Sequence, residues 1–147
     1  MCYKNRPIVF LFIIGAILVF NFPVSAQSKA DSLGQFKWES RLVLIKTTDI
    51  KRVEELLLTY QQAIEERHML WFVLSENDMQ SNYKGIISES LEDEIATVLS
   101  QFSKDNLVLV GKDGEVKSWN NGLNIESIFE QIDQMPMRQY EMQLQQR

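Results

Sequence analysis

A single α/β domain with the element order β-α-β-α-β-β-α is predicted by three features of the sequence. Two short apolar runs, Leu42-Val43-Leu44-Ile45 and Met69-Leu70-Trp71-Phe72-Val73-Leu74, have the composition of strands buried in a sheet. The segment between them repeats apolar residues at helical spacing, so the first two strands are joined through a helix. Further along, an Asp-Gly pair at Asp113-Gly114 separates two more strand-like runs, which is the signal of a tight hairpin. At 147 residues and 45% apolar composition, the chain fits one domain able to bury its own core.

Each element has a local reason. The stretch 27–35 is polar and small and reads as a linker, after which Leu33, Phe36 and Trp38 offer apolar side chains for the domain edge. The first strand spans residues 41–46. Thr47-Thr48-Asp49 ends it, and Asp49 is a good helix N-cap. Ile50, Val53, Leu57, Tyr60 and Ile64 make residues 50–66 one amphipathic helix. Residues 68–74 form the second strand, and residues 75–89, rich in Asn, Asp, Ser and Gly, an irregular connection. Ser90 with Asp93 suggests a capping box for a second helix whose stripe is Leu91, Ile95, Val98, Leu99 and Phe102. Residues 107–110 and 116–119 are the hairpin strands. Asn124 caps a third helix carrying Ile125, Ile128, Phe129 and Ile132, and Pro136 stops it. Met137, Tyr140 and Leu144 continue a helical apolar stripe, within a Gln-rich end that reads as a frayed helix. A parallel βαβ unit followed by ββα is the layout of the thioredoxin-like fold.

The chain carries 15 Lys and Arg against 20 Asp and Glu, a net charge of −5. No stretch is basic enough to collect phosphates, so a nucleic-acid partner is not expected. One Cys and one His leave no Cys/His zinc site, no disulfide scaffold and no CxxC pair. Residues 1–26 have the form of a cleaved signal peptide: Lys4 and Arg6, an apolar run from Ile8 to Phe20, then Val24-Ser25-Ala26 before Gln27. The run is shorter than the roughly 20 residues of a membrane-spanning helix. Export to the periplasm or beyond the cell is therefore expected, with membrane contact only through the leader before cleavage. Processing at Ala26 would also remove Cys2, the single cysteine. The expected organisation is a leader at 1–26, a linker at 27–35, the domain at 36–143 and a tail at 144–147.

Three stretches carry a family resemblance. They are Phe36-x-Trp38-x-x-Arg41, the hairpin segment Leu107-Val108-Leu109-Val110-Gly111-Lys112-Asp113-Gly114, and Ile132-Asp133-Gln134-Met135-Pro136-Met137-Arg138 with Glu141 and Met142 after it. Together they resemble a bacterial domain-of-unknown-function family of exported thioredoxin-like proteins. They are also similar to a domain of animal extracellular sushi-repeat and down-regulated-by-oncogenes matrix proteins. The resemblance implies a thioredoxin- or peroxiredoxin-related fold and no agreed activity.

That fold holds its reactive cysteine between the first strand and its helix, where helix-end amides lower the thiol pKa. Here the position reads Thr47-Thr48-Asp49, and a threonine hydroxyl does not substitute for a thiolate. The proline that usually precedes the third strand is also missing, since residues 75–106 contain none. The expected function is accordingly a non-catalytic binding or structural module, with a protein partner in the cell envelope and no cofactor. Two alternatives stay open. An enzyme with non-thiol chemistry would use Arg138 to anchor an anion beside Asp133 and Glu141, unless that guanidinium merely pairs with those carboxylates. A Cu(I)-binding domain would use the soft thioethers of Met135, Met137 and Met142, unless these flexible side chains simply fill the seam of the last helix. His68, the only imidazole, has no evident partner for a catalytic relay.

Overall fold

The computed structural model describes residues 27–76, 78–102 and 107–146. The leader read in residues 1–26 lies outside them. Along the chain run β1 (Lys29–Ala30), a 3-10 turn (Leu33–Phe36), β2 (Arg41–Lys46), α1 (Ile50–Thr59) and α2 (Gln61–Glu66). β3 (Met69–Leu74), β4 (Met79–Ser81), β5 (Ile86–Ile87) and α3 (Glu89–Ser100) follow, then β6 (Leu107–Val110), β7 (Val116–Asn120), α4 (Ile125–Asp133) and α5 (Pro136–Gln145).

The main sheet has the order β4-β3-β2-β6-β7. β2 lies at its centre, parallel to β3 and antiparallel to β6, and β7 returns antiparallel to β6. Side chains alternate across a strand, so the two faces of the apolar run on β2 feed two different cores. Val43 and Ile45 meet Leu57 of α1, Ile64 of α2, and Ile128 and Ile132 of α4. Leu42 and Leu44 meet Leu91, Ile95 and Leu99 of α3, with Phe36 and Ala30 from the amino-terminal segment. The arrangement is helix, sheet, helix in three layers, and it explains why the run has no polar residue to alternate. Fully burying each such side chain contributes roughly 1.5–3 kcal/mol.

Local signals place most boundaries. Asp49 caps α1 by accepting from the Arg52 amide at 3.2 Å, and Asn124 caps α4 by accepting from Ser127 at 3.0 Å. Gly114, at φ +80°, takes the left-handed position of the hairpin turn. Pro136 ends the preceding helix and opens the next as its first residue.

Elsewhere the structure departs from the sequence reading. The single helix expected over 50–66 breaks at Tyr60, whose ring packs edge-on against Phe129 and whose hydroxyl donates to Glu126. Residues 75–89 are not wholly irregular: β4 extends the main sheet beside β3, and β5 pairs in parallel with β1. That second pairing draws part of the 27–35 stretch onto the domain, with Ala30 buried in the core. The cap of α3 is Ser88, not Ser90, since Ser88 Oγ accepts from the Leu91 amide at 3.2 Å. Trp38, expected to pack on the domain edge, is 65% exposed. The apolar stripe of the last helix faces outward too, because Arg138 occupies its inward face while Met137, Tyr140 and Leu144 stand in solvent. Among the described residues no helix is long and apolar enough to cross a membrane.

Candidate functional site

Arg41, the first residue of β2, is 1% exposed. A guanidinium that deep must be paired and fully hydrogen-bonded to persist. Its Nη1 donates to the Arg67 carbonyl at 2.7 Å and to Glu141 Oε2 at 3.1 Å, and its Nη2 donates to Glu141 Oε1 at 3.3 Å. Glu141 comes from α5, one hundred residues away in the chain, and grips both ends of the guanidinium fork.

Lys112 reaches the same carboxylate from the β6–β7 turn. The turn is closed by Gly111 N–H to Glu115 C=O and Gly114 N–H to Gly111 C=O, both at 2.9 Å. This holds Lys112 Nζ 2.8 Å from Glu141 Oε1 and 2.9 Å from His68 Nδ1. An ammonium has only donors, so Nδ1 must accept and the imidazole is neutral with its proton on Nε2. Arg138, in the first turn of α5, donates from Nη1 to the Glu66 carbonyl at 2.7 Å and from Nε to Asp133 Oδ1 at 3.3 Å. Its Nη1 lies 3.7 Å from Glu141 Oε2. Arg67 donates to Asp133 Oδ2 at 2.6 Å, with its guanidinium carbon 4.6 Å from the centre of the Phe129 ring. Among the described buried side-chain atoms, Arg67 Nε is left without a partner.

Charge follows this geometry. Burial pushes the Glu141 carboxyl up, but the hydrogen bonds from Lys112 and Arg41 outweigh it and hold the pKa below its ordinary value. Burial lowers the His68 pKa, and the adjacent Lys112 ammonium lowers it further. Two non-glycine residues here have left-handed backbone, Trp38 at φ +69° and His68 at φ +50°. Both are tied to Lys112 or Arg41. The Trp38 amide donates to the Lys112 carbonyl at 2.6 Å, and the Arg41 amide donates to the His68 carbonyl at 2.9 Å.

The site residues read from the sequence are thus partly gathered. Asp133, Arg138 and Glu141 come together, with the carboxylates as the guanidinium's own partners. Met135 packs against the core and shares with Met137 the wall of a small cleft, whereas Met142 is not part of that wall. The cleft therefore does not gather three sulfurs. His68 does have a partner, Lys112. Sequence reading missed Arg67 as a site residue, and met Arg41 and Lys112 only inside motifs. A clue existed for Arg41, a charge set directly against four apolar strand residues, but the Asp-Gly turn drew attention away from the lysine before it. Among the described residues no group of three or more His, Cys, Asp or Glu is placed to hold a metal ion.

At the other end of β2 the polar groups serve the backbone. Thr47 Oγ1 accepts from the Asp49 amide at 3.1 Å, and Asp49 Oδ1 caps α1.

The three stretches that carry the family resemblance supply Arg41, Lys112, Arg138 and Glu141, so they converge on one cluster. The family model of a domain of unknown function, DUF4174, matches residues 32–141, a span that holds all four. The chain belongs to the DUF4174 family. The matched span also covers every strand of the main sheet and both partners of the Glu141 lock. No curated protein and no solved structure matches this DUF4174 chain.

Proposed function

We propose that this DUF4174 protein is an exported, non-catalytic binding module on a thioredoxin-like scaffold, related in fold to the extracellular matrix domains it resembles. The sheet supports the scaffold: β2 sits between parallel β3 and antiparallel β6, with β7 beyond, and helices cover both faces. The observation that carries the reading is the carboxyl end of β2. Where such a scaffold holds its nucleophile, this chain has Thr47-Thr48-Asp49, with Thr47 and Asp49 engaged in capping the helix that follows. The charged cluster at the opposite end supports a structural role for Asp133, Arg138 and Glu141, which seat α5 on the sheet. The partner is a protein of the cell envelope, and the module calls for no cofactor.

The chain expressed with its leader and recovered from the envelope tests this. Amino-terminal sequencing is expected to begin at Gln27. Peroxide- and disulfide-turnover assays are expected to read background, while in-cell cross-linking traps a discrete protein product. Turnover at enzyme-like rates that is lost on replacing Thr48 or Asp49 would overturn the reading.

A further inference from the structure

Beside the Glu141 lock, the β6–β7 turn and the start of α5 enclose a cleft of about 330 Å³. Three cations from separate elements line it: Arg41, Lys112 and Lys117, with Asp113 the carboxylate in that lining. The facing wall is apolar, made by Met135, Pro136 and Met137. Its size is at the small end of ligand sites, which typically run from about 300 to 1,000 Å³ and combine apolar walls with a few convergent polar groups.

Of the cations that line the cleft, Arg41 and Lys112 share the one carboxylate of Glu141, and Lys117 pairs with Asp113 and Glu115. Lys112 spends two of its three N–H groups, on Glu141 and His68. Its third remains for a group in the cleft. Lys117 spends two of its three N–H groups on Asp113 and Glu115, which leaves it a third. The left-handed Trp38 backbone, bonded to the Lys112 carbonyl, keeps strain at the same point.

We propose that this cleft binds a carboxylate carried on a compact apolar body, the head on Lys112 and Lys117 and the body against Met135, Pro136 and Met137. Such a group arrives either as a free small acid or as the carboxyl-terminal residue of a protein chain. The proposal rests on the binding-module reading and names its ligand chemistry. The turnover assays judge that reading, and the titration below judges this one.

Calorimetric titration of the recovered protein uses hexanoate, hexanol, and a tetrapeptide ending in leucine as free acid and as amide. Hexanoate or the free-acid peptide is expected to bind, with hexanol and the amide at least about tenfold weaker, the loss of one charge-assisted contact. Tighter binding by the peptide acid assigns the chain terminus as source, and equal or tighter binding by hexanoate assigns the free acid. Lys117→Gln, which leaves the Glu141 lock intact, is expected to weaken the acid roughly tenfold and leave hexanol unchanged. No binding of either acid at millimolar concentration, equal binding of hexanol, or an unaltered Lys117→Gln would each overturn the proposal.

Discussion

At its amino end β2 opens with Arg41, buried and held by a carboxylate from the far end of the chain; at its carboxyl end it runs into Thr47 and Asp49, whose side chains bond to neighbours two or three residues away. One end is a long-range lock and the other a local cap. The lock closes loops from Arg41 to Arg67, from His68 to Lys112 and from Arg41 to Glu141, and so it decides where α5 sits. The cap decides only where α1 begins. Damage to the two ends should therefore differ in size and in reach.

The largest effect is expected from Glu141→Ala, which leaves the buried Arg41 and Lys112 without their carboxylate. Loss of one partner of a buried pair costs about 3–5 kcal/mol, read as a lowered denaturation midpoint, and proteolysis should release α5 first. A cost below about 1 kcal/mol, typical of exposed pairs, would break the contrast between the ends. Adding Arg41→Met to Glu141→Leu should recover part of the loss, because it removes one of the two buried cations left without a carboxylate while Lys112 stays unpaired.

Acid should weaken the same end in two steps. His68 has a lowered pKa in the fold, so the unfolded chain takes up its proton first and stability falls as pH drops through the ordinary histidine range. The lowered carboxyl of Glu141 contributes stability that is present above the ordinary glutamate range and is lost as pH falls through its folded value. Denaturation midpoints measured against pH should show the first step removed by His68→Asn, whose side chain tolerates the left-handed backbone, and the second by Glu141→Gln.

Gly114→Ala probes the turn that delivers Lys112. A Cβ there would lie 2.8 Å from the Lys37 side chain at φ +80°, and the cost should be about 1–2 kcal/mol in a denaturant titration. Asp49→Ala should cost about 1 kcal/mol, the smallest change, with amide exchange quickened in the first turn of α1 and unaltered in α5. Faster exchange in α5 would join two ends that the structure keeps apart.

The strands at β2, β3, β6 and β7, the caps at Asp49 and Asn124, the Asp-Gly turn and the stop at Pro136 were all legible in the sequence. Each is specified by residues within three or four positions of one another, through side-chain alternation, a missing amide or a cap hydrogen bond. The break at Tyr60 and the strands inside 75–89 were not, because each depends on a neighbour brought from elsewhere, whereas the α3 cap is local at Ser88 and was read two residues late. Phe129 and Glu126 draw Tyr60 out of its helix, and β1 gives β5 its partner.

The lock is the extreme case. The sequence alone put Asp133, Arg138 and Glu141 within one short segment and so made their pairing foreseeable. It left Arg41, Lys112 and His68 as three unrelated residues in one strand, a turn and the start of another strand. Only the sheet order, which sets β6 and the turn beside β2, brings them to one carboxylate. The side-chain pattern of α5 was then settled by charge. Burying Arg41 required a carboxylate on the inward face of that helix, and the stripe of Met137, Tyr140 and Leu144 was left to the solvent.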